Sequence, residues 1–159
     1  MKKLLPIILT LLLVCIAVSY ASAANVVASP QNLSVDGVDA DCDKYNIDGS
    51  NYFKLRDLAA ALKGLDSEFA VTWNAAQQRI DLTSKTAYTP VGGEQAALPA
   101  GNKAASLTSA AVYLDGNPLS LTAYSIGGNN YFKLRDLGDA LGFGVDWNAD
   151  TMTMILTVK

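Results

Sequence analysis

The octapeptide Asn-Tyr-Phe-Lys-Leu-Arg-Asp-Leu occurs twice in this chain, at residues 51–58 and again at 130–137. Identity over eight consecutive positions marks a duplicated structural unit, so the fold must be built from two equivalent copies. The correspondence extends outward on both sides. From Leu33 to Leu62 the copies hold a constant offset of 79 residues, pairing Leu33 with Val112, Val35 with Leu114 and Asp36-Gly37 with Asp115-Gly116. Tyr45, Ile47 and Gly49 likewise pair with Tyr124, Ile126 and Gly128. Beyond the octapeptide the offset falls to 74, and Phe69, Val71, Trp73 and Asn74 pair with Phe143, Val145, Trp147 and Asn148. The extra residues of the first copy, Lys63–Ser67, follow a helix and read as a longer loop.

Each copy carries the same order of local signals. A short apolar run ends in Asp-Gly, a hairpin signal. A second strand follows, through Ile47 or Ile126. Asp48-Gly49 or Gly127-Gly128 makes the next turn. Tyr52–Leu55 alternates as a third strand, with Phe53 and Leu55 on one face. At Leu55 the period changes. Leu55, Leu58, Ala59 and Leu62 fall on one face of a helix, as do Leu134, Leu137, Gly138 and Leu141. Asp57 and Asp136 sit in the first turn, where the helix dipole favours an anion. Gly64 and Gly142 suit the helix ends. Phe69–Trp73 and Ile80–Leu82 complete the copy as two more strands. The class is therefore α+β: tandem β-β-β-α-β-β units, each a curled five-stranded antiparallel sheet packed around one helix. Leu119 and Leu121 have the opposite parity to Tyr124 and Ile126, which calls for a bulge or bend near Ala123. The expected organisation is a signal peptide at 1–23, a first repeat at 24–84, a linker at 85–110 and a second repeat at 111–159. Tyr88 and Val91 of the linker are expected to dock on the preceding unit.

The N-terminus carries a basic start (Lys2, Lys3), an apolar stretch from Leu4 to Val18 and a small-residue cleavage site, Ala21-Ser22-Ala23. This pattern is that of a secretory signal, so the expected location is secreted or cell-surface, with no membrane span after cleavage. Losing Lys2 and Lys3 from 12 basic residues against 15 acidic ones takes the net charge from −3 to −5. An acidic chain lacks the basic footprint that nucleic acid requires. After cleavage the chain keeps one cysteine, Cys42, which cannot form an internal disulfide and reads as a small buried hydrophobe. Histidine is absent altogether. That removes histidine-dependent triads, the usual zinc sites and blue-copper sites.

The octapeptide, the Asp-Gly hairpin before it and the Phe-Ala-Val-Thr-Trp-Asn and Phe-Gly-Val-Asp-Trp-Asn runs after it resemble the copper amine oxidase N-terminal-like, or stalk, domain family. The resemblance covers nearly all of the chain after residue 23, as two tandem copies. It implies a five-stranded antiparallel sheet twisted around a helix, and secreted or surface proteins of Gram-positive bacteria. It does not imply copper or oxidation, because metal and quinone cofactor belong to a separate catalytic domain with histidine ligands. No cofactor, no metal and no catalytic residue is expected.

The binding candidates recur with the octapeptide. Lys54 and Arg56, repeated as Lys133 and Arg135, suit an anionic polymer through phosphate or carboxylate pairing. Tyr52 and Tyr131 lie on the face opposite Phe53 and Phe132, where exposed rings would stack on sugars. The local alternative is structural, with Asp57 capping the dipole and Arg135 pairing with Asp139. Trp73 and Trp147 share parity with Phe69 and Phe143 and are assigned to the core. Asp36, Asp39, Asp41, Asp43 and Asp48 read as a solvated acidic face, since their spacing is not that of a calcium loop. The expected function is a non-catalytic surface binding or spacer module. A cell-wall glycan or anionic polymer is one candidate partner, and a surface enzyme under regulation is another.

Overall fold

The structure, a computed structural model, describes residues 26–96 and 104–158; the expected signal peptide lies outside them. The first copy runs β1 (Val26–Ala28), β2 (Asn32–Val35), β3 (Val38–Asp39), β4 (Lys44–Ile47), β5 (Ser50–Lys54), α1 (Leu55–Ala61), β6 (Phe69–Asn74) and β7 (Arg79–Ser84). The second repeats this order as β8 (Ala105–Leu107), β9 (Ala111–Leu114), β10 (Asn117–Leu119), β11 (Ala123–Ile126), β12 (Asn129–Lys133), α2 (Leu134–Leu141), β13 (Phe143–Asn148) and β14 (Thr153–Val158).

The turn signals act as the sequence predicts. Asp36-Gly37, Asp48-Gly49, Asp115-Gly116 and Gly127-Gly128 all have positive φ at both positions. That is the two-residue geometry whose twist matches the paired strands. The change of period is equally sharp. Lys54 is extended at φ −61°, ψ 121°, and the helix begins at the next residue. In the second copy Gly142, at φ 82°, closes α2 in the left-handed conformation.

The sheets differ from expectation. β5 and β12 pair antiparallel, with Phe53 opposite Phe132, Tyr52 opposite Lys133 and Lys54 opposite Tyr131. This register is self-complementary, so a local two-fold axis passes through the phenylalanine pair. The pairing merges the centres of both copies into one six-stranded sheet, ordered β1-β4-β5-β12-β11-β8 and curled into a half-barrel. Each tail hairpin then crosses to the other copy. β7 runs parallel to β9, with Ile80 opposite Val112, and β14 runs parallel to β2, with Met154 opposite Leu33. Two four-stranded mixed sheets result, β10-β9-β7-β6 and β13-β14-β2-β3, in place of two antiparallel five-stranded ones.

The physical reason is size. A unit of about 50 residues buries too little apolar surface to be secure by itself. Exchange builds one core from both copies, in which Phe53, Leu58, Phe132 and Leu137 are fully buried. Both helices pack on β5 and β12. Each buried phenylalanine contributes about 1.5–3 kcal/mol.

Two further expectations change. The parity shift before Ala123 is a change of sheet: β10 belongs to a four-stranded sheet and β11 to the six-stranded one. The 85–110 segment is structured at both ends. Tyr88 is buried while Val91 stays exposed, and β8 pairs with β11 as the counterpart of β1 on β4. Among the described residues no helix is long and apolar enough to cross a membrane.

Candidate functional site

The strand-to-helix junction is the same octapeptide in both copies, yet its surroundings differ. In the first copy Lys54 is buried. Its Nζ lies 3.1 Å from Asp57 Oδ1 and 3.6 Å from Asp43 Oδ2, and donates to the Gly93 carbonyl at 2.6 Å. Asp57, fully buried, accepts the Asp43 backbone N–H through Oδ2 at 2.8 Å. Burial, and then the neighbouring Asp57 charge, push the Asp43 carboxyl above its ordinary range. The same two causes push the Cys42 thiol up to about 12. A strap then crosses the junction. The Tyr88 hydroxyl donates to Glu94 at 2.7 Å, and Glu94 also accepts the Val91 and Gly92 amides. Arg56 reaches the Tyr88 hydroxyl at 3.5 Å. In the second copy Thr122 stands in the place of Asp43. Lys133 is half-buried there, and makes no ion pair among the described residues.

Beside each junction lies a cleft. Cleft one, about 310 Å³, is lined by Lys54, Leu55 and Arg56, by Val71 and Trp73 of β6, and by Gly128–Asn130 of the other copy's turn. Cleft two, about 260 Å³, is lined by Lys133, Leu134 and Arg135, by Val145 and Trp147 of β13, and by Gly49–Asn51 of the first copy. Ile80 of the first and Met154 of the second also correspond. The two clefts are thus images of each other across the two-fold axis. Each joins one exposed tryptophan and one arginine to asparagine, Asn129 and Asn130 in cleft one and Asn51 in cleft two, around an apolar floor. This is the composition of a small-ligand site, with an apolar surface and a few convergent polar groups. The clefts differ in detail. Thr72 lines the first where Asp146 lines the second, and Gln31 enters only the second.

Of the residues singled out from sequence, Lys54 and Arg56 come together in cleft one, and Lys133 and Arg135 in cleft two. Tyr52 and Tyr131 belong to neither. They are 6% and 3% exposed, in a second cluster with Tyr45, Ile47 and Ile126. Tyr45 meets Tyr131 edge-on at 5.2 Å, and Tyr52 meets Tyr124 at 5.1 Å. The curled sheet has a filled inner face, so the side opposite Phe53 is not solvent, and burial pushes both phenols up. Trp73 and Trp147, assigned to the core, are 47% and 41% exposed. Their parity is right, but burial falls along each strand from phenylalanine through valine to tryptophan. The helices, of seven and eight residues, cover about 10–12 Å, whereas a six-residue strand runs about 20 Å. The tryptophan end therefore projects beyond the helix that buries Phe69 or Phe143. Arg135 donates to the Val145 carbonyl at 3.2 Å rather than pairing with Asp139.

The fold is α+β, with two aromatic-basic clefts related by the local two-fold axis. The chain belongs to the copper amine oxidase N-terminal domain family, whose model matches residues 34–156 and so takes in both octapeptides. In the copper amine oxidases that domain is a non-catalytic, stalk-like one. Neither a curated protein nor a solved structure matches the chain.

Proposed function

We propose that this protein is a secreted, non-catalytic surface module that binds cell-wall glycan through its twin clefts. The observation that carries this reading is the exposed tryptophan beside an arginine and an asparagine amide, present in both copies. An indole face stacks on the C–H surface of a sugar ring, and its apolar area remains unburied until something covers it. The adjacent guanidinium supplies donors for hydroxyls, or for a carboxylate or phosphate on the glycan; the Asn51 amide of cleft two, whose oxygen accepts from Ser29 and Asn46 and whose nitrogen donates to Gln31, keeps one N–H to add.

The test is co-sedimentation of residues 24–159 with purified Gram-positive cell walls, beside a Trp73→Ala/Trp147→Ala variant and an Arg56→Ala/Arg135→Ala variant. Lys54 is left intact because its buried ion pair would confound folding. Saturable binding by the wild type, lost in folded variants, is the expected result. A folded wild type that stays in the supernatant would refute the glycan reading. A second reading, regulation of a surface enzyme by strand addition, draws on β6 and β13. Both are six-residue edge strands, although Arg135 already occupies the Val145 carbonyl of β13.

A further inference from the structure

We infer that the two clefts engage separate glycan strands, so that the protein bridges strands instead of lying along one; this rests on the glycan reading of the clefts. The argument is one of symmetry. The β5–β12 register is unchanged when the copies are exchanged, and Phe53 faces Phe132 at its centre. The flanking sheets obey the same operation, since Arg79 opposite Ala111 is the image of Thr153 opposite Asn32. Gln31 of cleft two apart, the cleft linings correspond position by position, down to the turn each borrows from the other copy.

A line joining two sites related by a two-fold axis crosses that axis at right angles, and the rotation reverses any direction along it. A glycan strand is directional, with distinct reducing and non-reducing ends. If one strand ran straight from cleft one to cleft two, it would present its sugars to the second cleft in the reverse sense. The indole, guanidinium and amide would then meet the wrong faces and hydroxyls. Each cleft is satisfied in the same way only by strands running in opposite senses, hence by two strands or two distant segments. Bridging of this kind converts two modest sites into avid attachment to a multi-strand surface, because the second contact forms at high effective concentration. The differences between the clefts, Thr72 against Asp146 and Asn129 against Ser50, with Gln31 in cleft two alone, make the two sites unequal in affinity.

The experiment uses residues 24–159 and soluble linear wall glycan strands, long and short, with the protein first shown to be monomeric by light scattering. Titration calorimetry with a short oligosaccharide should give two bound per chain. Long strands should cross-link, raising light scattering near equivalence, and excess short oligosaccharide should reverse the rise. Trp73→Ala or Trp147→Ala singly should leave one oligosaccharide per chain and abolish the scattering rise, while long strands still bind. Both tryptophans are surface residues, and Arg56→Ala and Arg135→Ala serve as a second single-cleft pair. A single oligosaccharide per wild-type chain, lost on removal of either tryptophan, would overturn the bridging proposal and leave glycan binding standing. Undiminished cross-linking by a single-cleft variant would overturn it as well. No binding of walls or strands by the folded wild type would instead remove the glycan reading on which it rests.

Discussion

The two copies offer the same substitution in the same octapeptide, with sharply different expected costs. Asp57→Ala removes a fully buried carboxylate that pairs with Lys54 at 3.1 Å and accepts the Asp43 N–H at 2.8 Å. Asp136→Ala removes a half-buried carboxylate with no hydrogen bond or ion pair among the described residues. Both lose the first-turn dipole interaction, about 0.3–1 kcal/mol. Only Asp57→Ala strands a buried ammonium, a loss of about 3–5 kcal/mol for a broken buried pair. Asp43, 3.6 Å from the same Nζ, softens the loss toward the lower end of that range. The expected values are therefore about 3 kcal/mol for Asp57→Ala and under about 1 kcal/mol for Asp136→Ala. The first is a large share of a typical domain's stability of about 5–15 kcal/mol. Urea unfolding followed by far-ultraviolet circular dichroism measures both. A Lys54→Met/Asp57→Ala double variant should cost less than the sum of its parts, because the uncompensated charge goes with its partner. Equal costs for the two aspartates, within about 0.5 kcal/mol, would refute the reasoning, as would additivity in the double variant.

Gly138→Ala should destabilise despite the better helix propensity of alanine. The new Cβ would lie 2.8 Å from the Phe143 carbonyl oxygen and 3.1 Å from its ring, an overpacking cost of about 1–3 kcal/mol; a raised melting temperature would contradict this. The Cys42 thiol, buried and pushed up to about 12, should resist a disulfide reagent at pH 8 and react fully once urea unfolds the chain. Rapid stoichiometric labelling of the native protein would overturn its burial. Glu94, held down to about 2 by its hydrogen bonds from Tyr88 and the Val91 amide, should keep the strap docked through mild acid. Its folded value is depressed, so the stabilisation is full above the ordinary carboxylate range and fades as pH falls from 4.5 towards 2. A carboxyl titration by NMR with a midpoint near 4.5 would mean that those hydrogen bonds do not form.

What could be read from sequence was what local chemistry determines. Asp-Gly and Gly-Gly dipeptides set four turns because φ must be positive at both positions. The change of period at Leu55 set the helices because Leu58 and Ala59 had to share a face with it. Parity identified which residues share a face but not what covers that face. Tyr52 and Tyr131 were misplaced because a curled sheet buries both its sides. Trp73 and Trp147 lie exposed because the covering helices are shorter than the strands beneath them, a difference that parity does not carry. β1 and β8 leave no signal in the sequence because three residues carry no period. The exchange of tail hairpins is a choice between equivalent partners. Leu33 and Val112 present similar apolar surfaces to Ile80 or Met154, and no local signal distinguishes them.

The central Tyr-Phe-Lys of the octapeptide is held to identity by the β5–β12 pairing. In this self-complementary register each of the three paired octapeptide positions must satisfy its own place and its partner's. Phe53 meets Phe132 across the axis, Tyr52 meets Lys133, and Tyr131 meets Lys54. A change in one copy alone leaves a mismatched contact at the centre of the shared sheet. Outside the octapeptide the copies have diverged at several positions: Asp43 against Thr122, Thr72 against Asp146, Ala59 against Gly138. The clefts inherit both tendencies. Their Lys-Leu-Arg walls are identical because they continue the paired strands, and their remaining linings differ. Each cleft also takes its turn residues from the other copy, so neither is complete until both copies have folded together. A ligand held at either cleft would therefore stabilise the closure of the whole domain rather than one repeat, since a ligand that binds only the folded form shifts the folding equilibrium towards it.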